Sequence, residues 1–97
     1  VTLAVVWLEA ATTEYYEALE WYAEVSPQLS QRFAQAIEGT VQTIAEFPLR
    51  FPVVHKGRRR AGVRRFPYGL FYLVEDSRLL VIACFHGRRD PRRWQRR

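Results

Sequence analysis

The residues best equipped for chemistry crowd one end of this 97-residue chain. His86 is followed at once by Gly87, Arg88, Arg89 and Asp90-Pro91, then by Arg92, Arg93 and Trp94. Upstream, Arg58-Arg59-Arg60 and Arg64-Arg65 form two further basic clusters. A guanidinium presents a planar fork of donors that fits a phosphate or a carboxylate, and an imidazole titrates close to neutral pH. For a lone arginine a solvated surface position is the ordinary reading; four clusters in one half of a chain point instead to a partner. His86 has two readings, a hydrogen-bonded residue at a strand end and an acid–base group beside cations. His55, in a basic loop, reads as a solvated side chain. Asp90 reads as a turn residue, accepting backbone bonds or pairing with Arg88, rather than as a catalytic carboxylate. Trp7 and Trp21 read as packing residues, whereas Trp94, set among arginines, reads as an anchor for a protein or nucleic-acid partner. Cys84 is single, so it forms no internal disulfide or paired-thiol metal site and reads as a small buried apolar residue.

The charges divide along the chain. Residues 1 to 49 hold seven acids against one base, Arg32, and residues 50 to 97 hold fourteen bases against Glu75, Asp76 and Asp90, which together give the net +5. Such a field steers the molecule toward polyanions or acidic proteins. With 48% hydrophobic residues and only five Gly and five Pro, the composition describes one compact domain over residues 1–97 and excludes a multidomain enzyme or a disordered tail. No apolar run reaches the roughly 18 residues of a membrane span, and no leader pattern is evident, so the expectation is a cytoplasmic protein without membrane contact.

The elements that must position these residues follow from periodicity. Residues 2 to 7 are β-branched and aromatic and predict an opening strand. Leu8, Ala11, Tyr15, Leu19, Tyr22 and Val25 fall three or four apart, the face of an acidic amphipathic helix. Ser26-Pro27 ends that helix and starts the next, carried by Leu29, Phe33, Ile37, Val41 and Ile44 until Phe47-Pro48 closes it. Residues 48 to 62 show no clean period and predict a long irregular basic connection. Val63 to Phe66, Leu70 to Glu75 and Leu79 to His86 then predict an antiparallel three-stranded meander. The last two strands are apolar on both faces, so the helical hairpin covers one face, and the chain's own ends or a partner must cover the other.

This order, together with Phe66-Pro67-Tyr68-Gly69-Leu70-Phe71-Tyr72, the Glu-Phe-Pro that closes the hairpin and the ending Phe85-His86-Gly87-Arg88-Arg89-Asp90-Pro91 with Trp94, resembles the RelE/ParE superfamily of bacterial toxins over essentially the whole chain. The resemblance implies an α+β fold, with an N-terminal strand, a helical hairpin and a three-stranded antiparallel meander. It also implies a type II toxin encoded beside a cognate antitoxin that silences it, and no metal or other cofactor.

Within the superfamily the targets differ. RelE-like members cut mRNA on the ribosome, and ParE-like members poison DNA gyrase. Cleaving RNA needs one group to deprotonate the 2′-hydroxyl, another to protonate the leaving oxygen, and cations to hold the phosphorane charge. If the chain is such a nuclease, His86, Arg65 and Arg89 are its catalytic candidates. The set is incomplete, because no tyrosine lies beyond Tyr72 and the only acids of the meander, Glu75 and Asp76, sit at a turn. The His-Gly-Arg-Arg-Asp-Pro ending is more similar to the ParE-type branch, which implies gyrase as partner and Arg64, Arg65, Arg88, Arg89, Arg92, Arg93 and Trp94 as target-binding residues. The ribosome with its mRNA, or a non-toxic relative that only binds an antitoxin, are the alternatives.

Overall fold

A computed structural model describes residues 2–97. The elements run β1 (Ala4–Trp7), α1 (Glu9–Val25), α2 (Pro27–Glu46), β2 (Val53–His55), β3 (Arg58–Gly62), β4 (Tyr68–Val74), β5 (Arg78–His86) and α3 (Arg92–Gln95). The helix boundary is set by Ser26. Its backbone N–H donates to the Tyr22 carbonyl and closes α1, while its hydroxyl accepts from the Leu29 N–H at 3.0 Å and caps α2, with Pro27 in the first turn. The Ser30 hydroxyl donates to the Leu19 carbonyl at 2.8 Å and holds the two helices in a tight hairpin.

The five strands form one sheet in the order β1-β5-β4-β3-β2, with β1 parallel to β5 and every other neighbour antiparallel. The α+β architecture is the one expected, but the basic connection is more ordered than its sequence pattern suggests. Residues 48 to 62 contain β2 and β3, joined by Lys56 and Gly57 at φ 43° and 79°, a two-residue loop in the left-handed region whose twist suits a tight hairpin. Val63 to Phe66, expected as a strand, is instead the turn between β3 and β4, closed by Val63 N–H to the Tyr68 carbonyl and Phe66 N–H to the Val63 carbonyl. The arginines of β3 defeat the periodicity argument, because a strand near a sheet edge needs little apolar alternation.

Both faces of β4 and β5 are buried. Against the helices lie Leu70, Tyr72, Leu79, Val81 and Cys84, meeting Ala11, Ala18, Tyr22, Phe33, Ile37 and Ile44. Val25, expected on this face of α1, is exposed instead, as the last residue of the helix. On the outer face Phe71, Ile82, Ala83 and Phe85 are covered by Trp94 of α3, whose ring stacks on Phe71 at 4.1 Å. The chain's own C-terminal segment therefore closes the second face. The alternation along β5 is shifted by a bulge: Tyr72 pairs with Val81 and Phe71 with Ala83, leaving Ile82 as the extra residue.

β1 pairs with β5 only as far as Trp7 opposite Val81, and the Leu8 N–H reaches the Val81 carbonyl. Past that point the edge of β5 lacks a strand, and side chains take over. The Glu14 carboxylate accepts from the Cys84 N–H at 3.1 Å, and Arg97 donates to the Ile82 carbonyl at 2.9 Å. The two side chains also join each other through paired 2.9 Å hydrogen bonds, with Arg97 18% and Glu14 9% exposed.

Removing one member of a buried pair strands the other. Glu14→Ala should therefore lower stability by about 3 kcal/mol, read as a shift in the urea midpoint, whereas an effect near zero would show that the pair holds nothing. Burial, reinforced by Glu14, raises the Cys84 thiol from 9.0 to about 12. The fold thus keeps a proton that the unfolded chain releases above pH 9.0, so this contribution to stability is whole below that pH and fades as pH climbs toward 12. Burial likewise raises Tyr15, Tyr22, Tyr68 and Tyr72 above 10.0, and they act in the same direction. Urea titrations at rising alkaline pH should show falling stability, with a shallower fall in Cys84→Ala.

Candidate functional site

The two turns that carry the arginines are bound together. The Gly87 N–H donates to the Pro67 carbonyl at 2.8 Å, which sets the turn after β5 beside the β3–β4 turn at one end of the sheet. Arg64, Arg65, Arg88, Arg89, Arg92 and Arg93 are all exposed there or just beyond. Their surroundings nevertheless differ.

His86 stands opposite Tyr68 across β4 and β5, and the two rings meet edge to face at 5.3 Å. Its Nδ1 accepts from the Arg88 N–H at 3.0 Å, so the neutral ring carries its proton on Nε2. The ring opens on a cavity of about 540 Å3 shared with Glu14, Glu17, Trp21, Tyr68 and Arg89. Burial raises the Tyr68 hydroxyl, with Tyr22, Cys84 and Glu17 adding to the shift and Arg89 opposing it. Tyr68 is therefore a proton donor rather than a base near neutral pH. Arg89 also stacks over Phe85 at 5.2 Å and joins Arg93 and Arg97 in a cleft of about 490 Å3 whose other wall is Glu9, Glu14 and Glu17 of α1.

Arg64 and Arg65 lie elsewhere. They line a cavity of about 560 Å3 against α2, together with Arg32. The three candidate catalytic residues are thus divided, with His86 and Arg89 at one cavity and Arg65 at another. Arg92 is held by Asp90 through a 2.7 Å ion pair, and hydrogen bonds from the Arg92 side chain and backbone keep the Asp90 carboxyl below its ordinary value. Asp90 is a turn residue as expected, but its partner is Arg92 and not Arg88. Trp94 is 3% exposed, stacked on Phe71 with His55 against its edge at 5.8 Å, so its ring packs the outer face and presents no surface to a partner.

The basic run of β3 has separate tasks. Arg58 donates to the carbonyls of Lys56 and Arg97, and Arg59 to those of Phe51 and Leu49, so both hold backbone in place. Arg60 lies on the outer face over Gly69, where a Cβ would come within 2.7 Å of its Nε, and its guanidinium sits 5.8 Å from the Phe71 ring. Sequence reasoning overlooked Tyr68, Arg32, Glu14 and Glu17 at these sites, and it read Arg60 only as one member of a basic cluster. The Tyr68–His86 pairing depends on the bulge at Ile82, since the turn after β4 alone would set Tyr68 opposite Phe85, and the rest depends on how helices and sheet cross. Among the described residues no group of three or more His, Cys, Asp or Glu stands close enough to hold a metal ion, and no helix is long and apolar enough to cross a membrane.

Comparison with known proteins adds a family. Residues 5–91 match the family described as "ParE toxin of type II toxin-antitoxin system, parDE". Among solved structures the chain is similar to one titled "Chromosomal ParDE TA system from P. aeruginosa", with a TM-score of 0.77 and 15% identity over 88% of this chain and 96% of that one. At that identity the likeness is one of fold. No curated protein matches the chain.

The placement of Arg60 depends on a missing side chain. Gly69→Ala should push the guanidinium off the sheet while costing less than about 1 kcal/mol, because the crowding atoms end a flexible side chain. The change should appear as a shift of the Arg60 side-chain NMR signal at nearly constant melting temperature. An unmoved signal would show that Arg60 does not rest there.

Proposed function

The chain belongs to the ParE family of type II toxins, and from that premise we propose that it arrests growth by inhibiting DNA gyrase and is neutralised by a cognate antitoxin. The observation that carries the choice of target is the make-up of the His86 cavity. Glu14 and Glu17 line it beside His86, and Arg65 belongs to a different cavity. Glu14 is already matched by Arg97, but Glu17 is in no ion pair among the described residues. A nuclease gathers several cations around the scissile group, whereas Arg89 is the one cation that lines this cavity with His86 among the described residues. Docking on a protein or a protein–DNA complex asks less: a set of exposed guanidiniums on adjoining turns, with Arg64, Arg65, Arg88, Arg89 and Arg93 as the contacts.

An antitoxin is supported by apolar surface that the chain leaves open. Phe47, Leu49, Val53 and Val54 are 46–67% exposed along β2 and the segment before it, and Tyr16, Trp21 and Val25 are exposed on α1. A partner that buries such patches gains hydrophobic energy and protects the edge strand β2. One observation favours the ribonuclease alternative. Tyr68 beside His86 supplies a protonated hydroxyl at the end of β5, the kind of acid a leaving oxygen needs.

The two readings separate in one experiment. Induced expression in a bacterium should stop growth, with cleaved DNA accumulating and purified protein blocking gyrase supercoiling. His86→Ala should keep that activity within about threefold, whereas replacing Arg88 and Arg89 together should reduce it at least tenfold, the scale of losing two charge-assisted contacts. Cuts in translated mRNA with intact DNA, abolished by His86→Ala or Tyr68→Phe, would instead establish the nuclease. Growth without arrest would leave only the antitoxin-binding reading.

A further inference from the structure

Arg32 is the only base among the first 49 residues, and the fold brings it to the one place where it meets two more. It lies one residue before the buried Phe33 on α2, exposed, and shares with Arg64 and Arg65 a cavity of about 560 Å3 whose floor is Leu29, Ala36 and Phe66. Among the described residues, none that lines this cavity is acidic. None of the three arginines takes part in an ion pair among the described residues, while other arginines of the chain are matched with Glu14, Glu75 and Asp90.

The cations are set on rigid supports. Arg32 stands in the second turn of a helix capped by Ser26. Arg64 and Arg65 belong to a turn closed by the Val63 and Phe66 hydrogen bonds and tied to the end of β5 through Pro67. Arg65 has φ 70°, a left-handed conformation that non-glycine residues seldom adopt. Three like charges held together without a counter-ion repel one another, so an anion entering between them is favoured by all three.

We propose that this cavity is a docking site for an acidic amphipathic segment of a protein partner, with its carboxylates on Arg32, Arg64 and Arg65 and an apolar side chain on Leu29, Ala36 and Phe66. The inference deepens the reading that an antitoxin masks this toxin, and it rests on that reading. The apolar floor is what selects a peptide over a nucleic-acid backbone. A phosphodiester chain would use the guanidiniums and leave Leu29, Ala36 and Phe66 uncovered, whereas a peptide with apolar and acidic side chains on one face satisfies both.

A titration of the whole protein followed by backbone-amide and arginine side-chain NMR signals tests this directly. The probe is an acetylated peptide of about twelve residues alternating Leu and Glu pairs. Expected are saturable shifts at Arg32, Arg64, Arg65 and Phe66, affinity about fivefold weaker in Arg32→Gln, the scale of one exposed ion pair, and no saturation with the same peptide carrying Gln for Glu. A duplex of about 20 base pairs should act on Arg88, Arg89 and Arg93 and leave Arg32 unmoved. Absence of saturable shifts from the acidic peptide, equal binding of its Gln version, or a stronger response of Arg32 to the duplex would each overturn the proposal. Because arrest of growth plays no part in the titration, a chain that binds the peptide yet fails to arrest growth would sink the toxin reading and support the site.

Discussion

The sheet depends on how the exposed run of β5 is satisfied. A strand flanked on both sides has its backbone groups paired, but β1 ends level with Val81 and β5 continues to His86. Groups left bare in a packed interior cost free energy comparable to a lost hydrogen bond. Glu14 from the first helix and Arg97 from beyond the last strand act as a side-chain continuation of β1, taking the Cys84 N–H and the Ile82 carbonyl and each other. The bulge at Ile82 sits at the same place. Helix, strand end and C-terminal segment are therefore fixed by one network, and the arginine-bearing turns hang from it. The opposite charges of the two halves of the chain are how that network is made, since an acidic α1 faces the basic end across the edge of β5.

Much of the fold was legible. The three-to-four spacing from Leu8 to Tyr22 and from Leu29 to Ile44, with Ser26-Pro27 between, fixes the helical hairpin to within a residue. The uninterrupted apolar character of Leu70–Val74 and Leu79–Phe85 announces a sheet buried on both sides, and the structure covers the outer side with Trp94. Illegible were β2 and β3. A hairpin that carries Arg58, Arg59 and Arg60 near a sheet edge has no apolar alternation to read, and its one local signal, Lys56-Gly57, is a short motif in a basic run.

The site was legible in part. Basic clusters mark where charge gathers, but sequence distance says nothing about which arginine finds an acid or a carbonyl. Arg58 and Arg59 are consumed by backbone carbonyls, Arg92 by Asp90 and Arg97 by Glu14. Arg32 was invisible as a contributor, because its neighbours come from a turn more than thirty positions away in sequence. Trp94 reads as an anchor in a basic tail because its ring partner, Phe71, belongs to an earlier strand.

The parallel pairing of β1 with β5 joins the first strand to be synthesised with the last. On a translating ribosome, Ala4–Trp7 must wait for the whole intervening chain before its neighbour exists, and loop closure over that distance is slow. The sheet is consequently completed only once β5 exists, and the turn that carries Arg88 and Arg89 is fixed with it.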